Sequence, residues 1–178
     1  RASSVEDAVR AVESGADVIV AQGSEAGGHR STFHVPADGI VPLVGTFALV
    51  PQVVAALDVP VIAAGAVMNG RGLAAALALG ADGVQMGTRF LVARESGAPA
   101  GYRRRVATAR DTDTVVTRAV SGRPARGIRN RLITTLEAAG PPGRGARAVE
   151  QDVERRPRQP PDHFGDCPAR GNPPLDLL

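Results

Sequence analysis

The chain has 178 residues, enough for one domain with a real core, and its 21 basic residues, all arginine, against 18 acidic ones leave a net charge of only +3. Ala, Val, Leu and Ile dominate while aromatics make up 3%, a mixture that suits parallel strands covered by Ala-rich helices better than a small β-sandwich. No run approaches the ~18 unbroken apolar residues that span a bilayer, and no charged-apolar-cleavage start is visible. No membrane partner is therefore expected, and the cytoplasm is the default address. The single Cys167 allows neither a disulfide framework nor a Cys-based metal site within one chain.

In chain order, Ser3-x-x-Glu6 has capping-box spacing, and Val5, Ala8, Val9 and Val12 share one helical face until Gly15 closes it. Residues 17–23 form a short apolar strand, followed by a glycine-containing loop through Gly45. A second helix is predicted over residues 48–57, with Pro51 tolerable only in its first turn. "VPVIAAG", residues 59–65, is a second strand, apolar on both faces as a parallel strand should be. Asn69 caps a third helix with Leu73, Ala76 and Leu77 on its face, closed by Gly80, and residues 83–87 are a third strand. This alternation with short connections predicts parallel β/α architecture.

Residues 95–139 read as helices. They carry an arginine cluster between Tyr102 and Arg131, interleaved with Asp111 and Asp113. Without stacking aromatics or a recognition motif it reads as a solvated face, and no nucleic-acid partner is expected. From Pro141 onward the chain is rich in Pro, Arg, Asp and Gly without apolar periodicity. Such a segment cannot bury enough surface to order itself, which divides the chain into a folded part, 1–140, and a disordered tail, 141–178.

The stretch "AQGSEAGGHR", residues 21–30, carries the chemistry. Gly23, Gly65 and Gly87 each fall at the carboxyl end of a predicted strand, the ligand-binding face of β/α folds. Glycine there lets backbone N–H groups approach an anion without a Cβ in the way. Each alone is an ordinary turn or cap residue. Three in register with Gln22, Gln85 and the Thr88 hydroxyl point to a phosphate-bearing ligand.

"AQGSEAGGHRSTF", "VPVIAAGAVMNGRGLAAALALGADGVQMGTRFL", "ARES" and "DTDTVVTRAVSGRPARGIRN" together resemble the nitronate monooxygenases, over roughly residues 1–136. These are FMN-dependent (β/α)8 TIM barrels that oxidise alkyl nitronates with molecular oxygen. The resemblance implies that Gln22 and Gly27 contact FMN, that the backbone at Gly65 contacts its phosphate, and that Gln85, Met86, Gly87 and Thr88 close over it. It places His29 near the reactive part of the isoalloxazine as a base or an anion-stabiliser, and imidazole suits a proton alpha to a nitro group because it titrates near neutrality. Glu25 is read as a loop brace. No metal is implied.

Two departures from the family pattern stand out. Ala66 and Ser31 occupy positions where the family commonly has glycine, and a Cβ at position 66 costs about 1 kcal/mol if the backbone there needs positive φ. A (β/α)8 barrel also takes about 250 residues. The three strands are therefore equated with its last three β/α units, followed by C-terminal helices, and a complementary half-barrel is a possible partner. The rivals are a flavin-dependent enoyl-acyl-carrier-protein reductase, built on the same barrel with a similar Gly-Gly-His loop, and an inactive barrel fragment.

Overall fold

The computed structural model describes residues 1–36 and 40–140; the tail expected to be disordered, with Cys167, lies outside the described residues. Helix α1 (Val5–Glu13) starts at Ser4, whose Oγ accepts the Asp7 amide proton at 3.1 Å, and Gly15 at φ 95° turns the chain out of it. The capping serine is one residue later than the Ser3-x-x-Glu6 spacing predicts. Ala2 is tied into a parallel bridge with Ala21, which draws Ser3 into the interior, where it is fully buried.

Strand β1 (Ile19–Gln22) is followed by a two-residue strand, β2 (Gly28–His29), that joins a different sheet. Strands β3 (Val61–Ala64) and β4 (Gly83–Gln85) then line up beside β1 in a parallel sheet of order β1-β3-β4. Successive parallel strands need a crossover, and helices α2 (Thr46–Ala56) and α3 (Gly70–Ala78) supply them. Because the spatial order equals the chain order, every crossover steps the same way and the helices gather on one face. The core lies between them: Ala8 of α1, Leu49, Val50 and Val53 of α2 and Ala76 of α3 pack against Ile19, Ala21, Val61 and Ala63. Burying each of the larger side chains stabilises by about 1.5–3 kcal/mol. Strand residues of the other parity, Val20 and Ile62, are only half-buried.

Helix α2 departs from expectation at its start. It begins at Thr46, so Pro51 is its sixth residue and lies beyond the first turn. The earlier start comes from far away in sequence: the Glu25 carboxylate accepts from the Thr46 N–H and from its Oγ1, both at 3.0 Å, and caps a helix whose own N-cap is Gly45. The N–H that Pro51 lacks would have bonded to the C=O of Phe47, a residue on the exposed side of the helix, where the lost bond costs less than it would in the core. In α3, Ala76 is buried as expected, but Leu73 and Leu77 are 37% and 48% exposed. The helix packs against β4, and both leucines leave part of their surface outside that packing.

The region read as helices is the larger correction. After the short helix α4 (Thr88–Leu91) and helix α5 (Ala100–Ala107), a 3-10 turn at Asp111–Asp113 leads into strand β5 (Thr114–Thr117). Strand β6 (Ala125–Ile128) and helix α6 (Arg131–Ala138) follow. Strands β5 and β6 pair antiparallel, and β6 also pairs antiparallel with β2, giving a second sheet of order β2-β6-β5. The β-branched run Thr114-Val115-Val116-Thr117 and a left-handed Gly122 at φ 73° are the local reasons for a hairpin here.

The arginine cluster is largely pinned. Arg105 and Arg110 each meet Asp113 at 3.2 Å, and Arg129 meets Glu137 at 2.6 Å, exposed pairs that contribute little to stability. The Arg110 amide, followed by the side chains of Arg110 and Arg105, holds the Asp113 carboxyl below its usual range. A carboxylate whose pKa is lower folded than unfolded stabilises above its ordinary value, and that stabilisation is lost as the pH falls through the folded value. Comparing urea midpoints of the parent chain and Asp113→Asn, the parent's advantage at neutral pH should shrink steadily below about pH 4.

Candidate active site

Gln22 is aligned with Ala64, and Ala64 with Gln85, across neighbouring parallel strands. Partners in register point to the same face, so Gln22 and Gln85 share one layer at the carboxyl ends of β1 and β4. Gln22 is 4% exposed, and its Oε1 accepts from the Ser31 N–H at 2.8 Å while its Nε2 donates to the His29 carbonyl at 3.0 Å. It braces the His29 loop from below. Gln85 is exposed and Met86 half-buried beside it.

The loop between Gly23 and Arg30 is closed at its neck. The Arg30 guanidinium donates to the carbonyls of Gly23 at 2.6 Å and Gln22 at 3.1 Å. Arg30 is buried; that burial, and then the positive charge of Arg126, lower its pKa, with Glu25 opposing. Arg126 reaches in from β6, its Nε donating to the Ser24 carbonyl at 2.6 Å and a terminal N–H to Thr114 Oγ1 at 2.8 Å. Glu25 holds Thr46 as described, the loop-bracing role read from the sequence. Gly28 has φ 85°, a conformation that needs glycine, and it turns the chain into β2, where His29 pairs with Ala125. His29 is exposed, and its Nε2 lies 2.8 Å from Ser121 Oγ in the β5–β6 turn.

The glycines meet at the strand ends. Gly65 has φ 109°, and a Cβ there would lie 2.9 Å from the Ala26 backbone nitrogen. Gly27 faces Thr88, with 3.6 Å from an added Cβ to Thr88 Oγ1. Gly87 is open on its Cβ side and no side chain caps α4, which starts at Thr88. The backbone N–H groups of Gly65, Ala66, Gly87 and Thr88 have no acceptor among the described residues. Four free donors and a hydroxyl on adjacent strand ends suit a phosphate. Ala66 has φ 59°, the left-handed conformation its departure from the family pattern put in question. Ala66→Gly should raise stability by up to about 1 kcal/mol, measured by urea denaturation, because relief of a left-handed strain of about 1–2 kcal/mol exceeds the roughly 0.4–1 kcal/mol that glycine's extra freedom in the unfolded chain costs.

The sequence model of the nitronate monooxygenase family matches residues 1–155. The chain belongs to that family. A probable nitronate monooxygenase of Staphylococcus saprophyticus is 52% identical over 132 residues, covering 74% of this chain and 37% of the relative. One from Staphylococcus aureus is 53% identical over 135 residues, covering 76% and 38%. The chain thus spans less than two-fifths of these relatives. Among solved structures, nitroalkane oxidase from Streptomyces ansochromogenes is similar with a TM-score of 0.72 and 42% identity, over 79% of this chain and 40% of that one. FabK from Thermotoga maritima is similar with a TM-score of 0.70 and 38% identity, over 86% and 46%. Among the described residues no helix is long and apolar enough to cross a membrane.

This nitronate monooxygenase family member therefore brings Gln22, Gly27, Gly65, Gln85 and Thr88 to one end of its parallel sheet, with Met86 and Gly87 between them and His29 on the loop above. Sequence reasoning missed three residues that hold the loop: Arg30, Arg126 and Ser121. Arg30 was legible only as part of a motif. Arg126 and Ser121 lay in the region read as helical, where the β-branched run ahead of Ser121-Gly122 was the signal for a hairpin.

Proposed function

We propose that this chain forms the last strands and the base-bearing loop of an FMN-dependent (β/α)8 barrel that oxidises alkyl nitronates with molecular oxygen, giving a carbonyl product and nitrite. The observation that carries the reading is the exposed His29 imidazole, on a loop whose backbone Gln22 braces from below, beside strand ends that present free N–H donors. The one-way strand order, the helices on a single face and the half-buried opposite face support a barrel. A complementary half-barrel completes it, pairing with β4 along an edge that has no partner among the described residues.

Residues Gly65, Ala66, Gly87 and Thr88 would hold the FMN phosphate, with Gln85, Met86 and Gly27 against the rest of the cofactor. FMN, when bound, supplies the redox chemistry between nitronate and oxygen. The protein's part is positioning. Gln22, Glu25 and Arg30 fix the loop, and His29 either takes the proton from the carbon alpha to the nitro group at a ring nitrogen or, protonated, holds the nitronate oxygens.

The test is a spectrum of the purified chain with FMN before and after desalting, alone and co-expressed with the complementary half of a family member, followed by oxygen uptake with a nitronate. Retained flavin and nitrite release are the expected result. No retained flavin under either condition refutes the cofactor site. NADPH oxidation with a crotonyl thioester, without nitronate turnover, reassigns the chain to the enoyl-acyl-carrier-protein reductases.

A further inference from the structure

Ser121 is brought to His29 from 92 positions away, and the turn that carries it is closed on itself. The Gly122 N–H donates to the Arg118 carbonyl at 2.9 Å, Arg118 Nε donates back to the Gly122 carbonyl at 3.1 Å, and the Ala119 N–H donates to Thr117 Oγ1 at 3.1 Å. The Ser121 hydroxyl has one proton and two neighbours competing for it. The Arg123 carbonyl, 3.3 Å away, can only accept, whereas His29 Nε2, at 2.8 Å, can donate or accept. The Arg123 N–H donates to the same oxygen at 3.4 Å, and with one proton and two lone pairs on the hydroxyl all three contacts are hydrogen bonds at once only if Ser121 donates to the Arg123 carbonyl and His29 Nε2–H donates to Ser121. Nδ1 has no partner among the described residues.

We infer that Ser121 is a positioning residue: it fixes neutral His29 as the Nε2–H tautomer, held in one ring orientation, and leaves the Nδ1 lone pair as the atom that takes up a proton. The assignment rests on the base role proposed for His29 and names the nitrogen that performs it. When Nδ1 is protonated, Nε2–H keeps its bond to Ser121, so the ring need not turn between the two states.

The experiment is long-range 1H–15N correlation spectroscopy of the 178-residue chain labelled at histidine nitrogen, at a pH where imidazole is neutral. His29→Gln assigns the signals. The parent chain should show a protonated-type Nε2 and an unprotonated-type Nδ1 for His29. In Ser121→Ala the two shifts should move toward each other as the tautomers exchange, and Ser121→Thr, which keeps the hydroxyl, should restore the separation. A protonated-type Nδ1 in the parent chain overturns the inference whatever the variants do, as does a pattern that Ser121→Ala leaves unchanged. Nitronate oxidation surviving in His29→Ala would instead refute the base role while leaving the tautomer assignment in place.

Discussion

His29→Ala should lower nitronate-dependent oxygen uptake by about 10²–10⁴-fold, the range that a positioned general base contributes. The loss should fall on turnover, with flavin retention unchanged. The reason is the division of labour within the loop. Gln22 binds His29 through its backbone carbonyl, and β2 binds β6 through backbone pairing at Ala125, so truncating the side chain leaves both supports intact. The imidazole is exposed and its hydrogen bond is to Ser121, so its removal opens no cavity in the core. Oxygen consumption and nitrite release, measured on flavin-loaded protein, decide the matter. Activity within about threefold of the parent would mean that the histidine only orders the loop.

Gly23→Ala should cost about 3 kcal/mol or more of stability, at the upper end of overpacking effects. Strand β1 ends at Gln22, and the next residue passes directly over the start of α2. A Cβ there would fall onto Thr46 Oγ1, 2.6 Å from the Thr46 backbone nitrogen and 2.7 Å from Glu25 Oε2. Neither backbone nor cap can give way cheaply. Moving Glu25 uncaps α2, and moving Gly23 breaks the 2.6 Å bond from Arg30 to its carbonyl. Gly27→Ala is the control, because its Cβ would meet only Thr88 Oγ1 at an ordinary 3.6 Å. It should leave the urea midpoint within about 0.5 kcal/mol of the parent. Equal effects at the two positions would refute the packing account of the loop.

What was legible in the sequence follows from the range of the forces involved. The apolar runs of β1, β3 and β4 declare themselves because a strand covered on one face by helices and half-buried on the other can be hydrophobic throughout. Gly15, Asn69 and Gly80 mark helix ends through local hydrogen bonding that any reader of caps can find. The start of α2 was not legible, since its cap comes from Glu25, 21 residues earlier. Nor was the hairpin read. The arginines between Tyr102 and Arg131 suggest a solvated helix, whereas Arg126 spends its charge on the carbonyl of Ser24, 102 residues away. The layer shared by Gln22 and Gln85 was foreseeable from strand ends alone. The grip of Arg30 on the loop neck depends on how the chain doubles back, which spacing does not encode.

The pairing of β2 with β6 also sets an order of events on the ribosome. Everything needed for the parallel sheet, from Ala2 to Gln85, emerges before any of the hairpin at 114–128 has been made. While the later codons are read, the parallel layers can settle, but the tip of the Gly-Gly-His loop has neither its ladder partner nor Ser121. A nascent chain stopped between residues 92 and 113 would keep its three parallel strands and the neck of the loop held by Gln22 and Arg30, while the His29 side chain would have nothing to hold it.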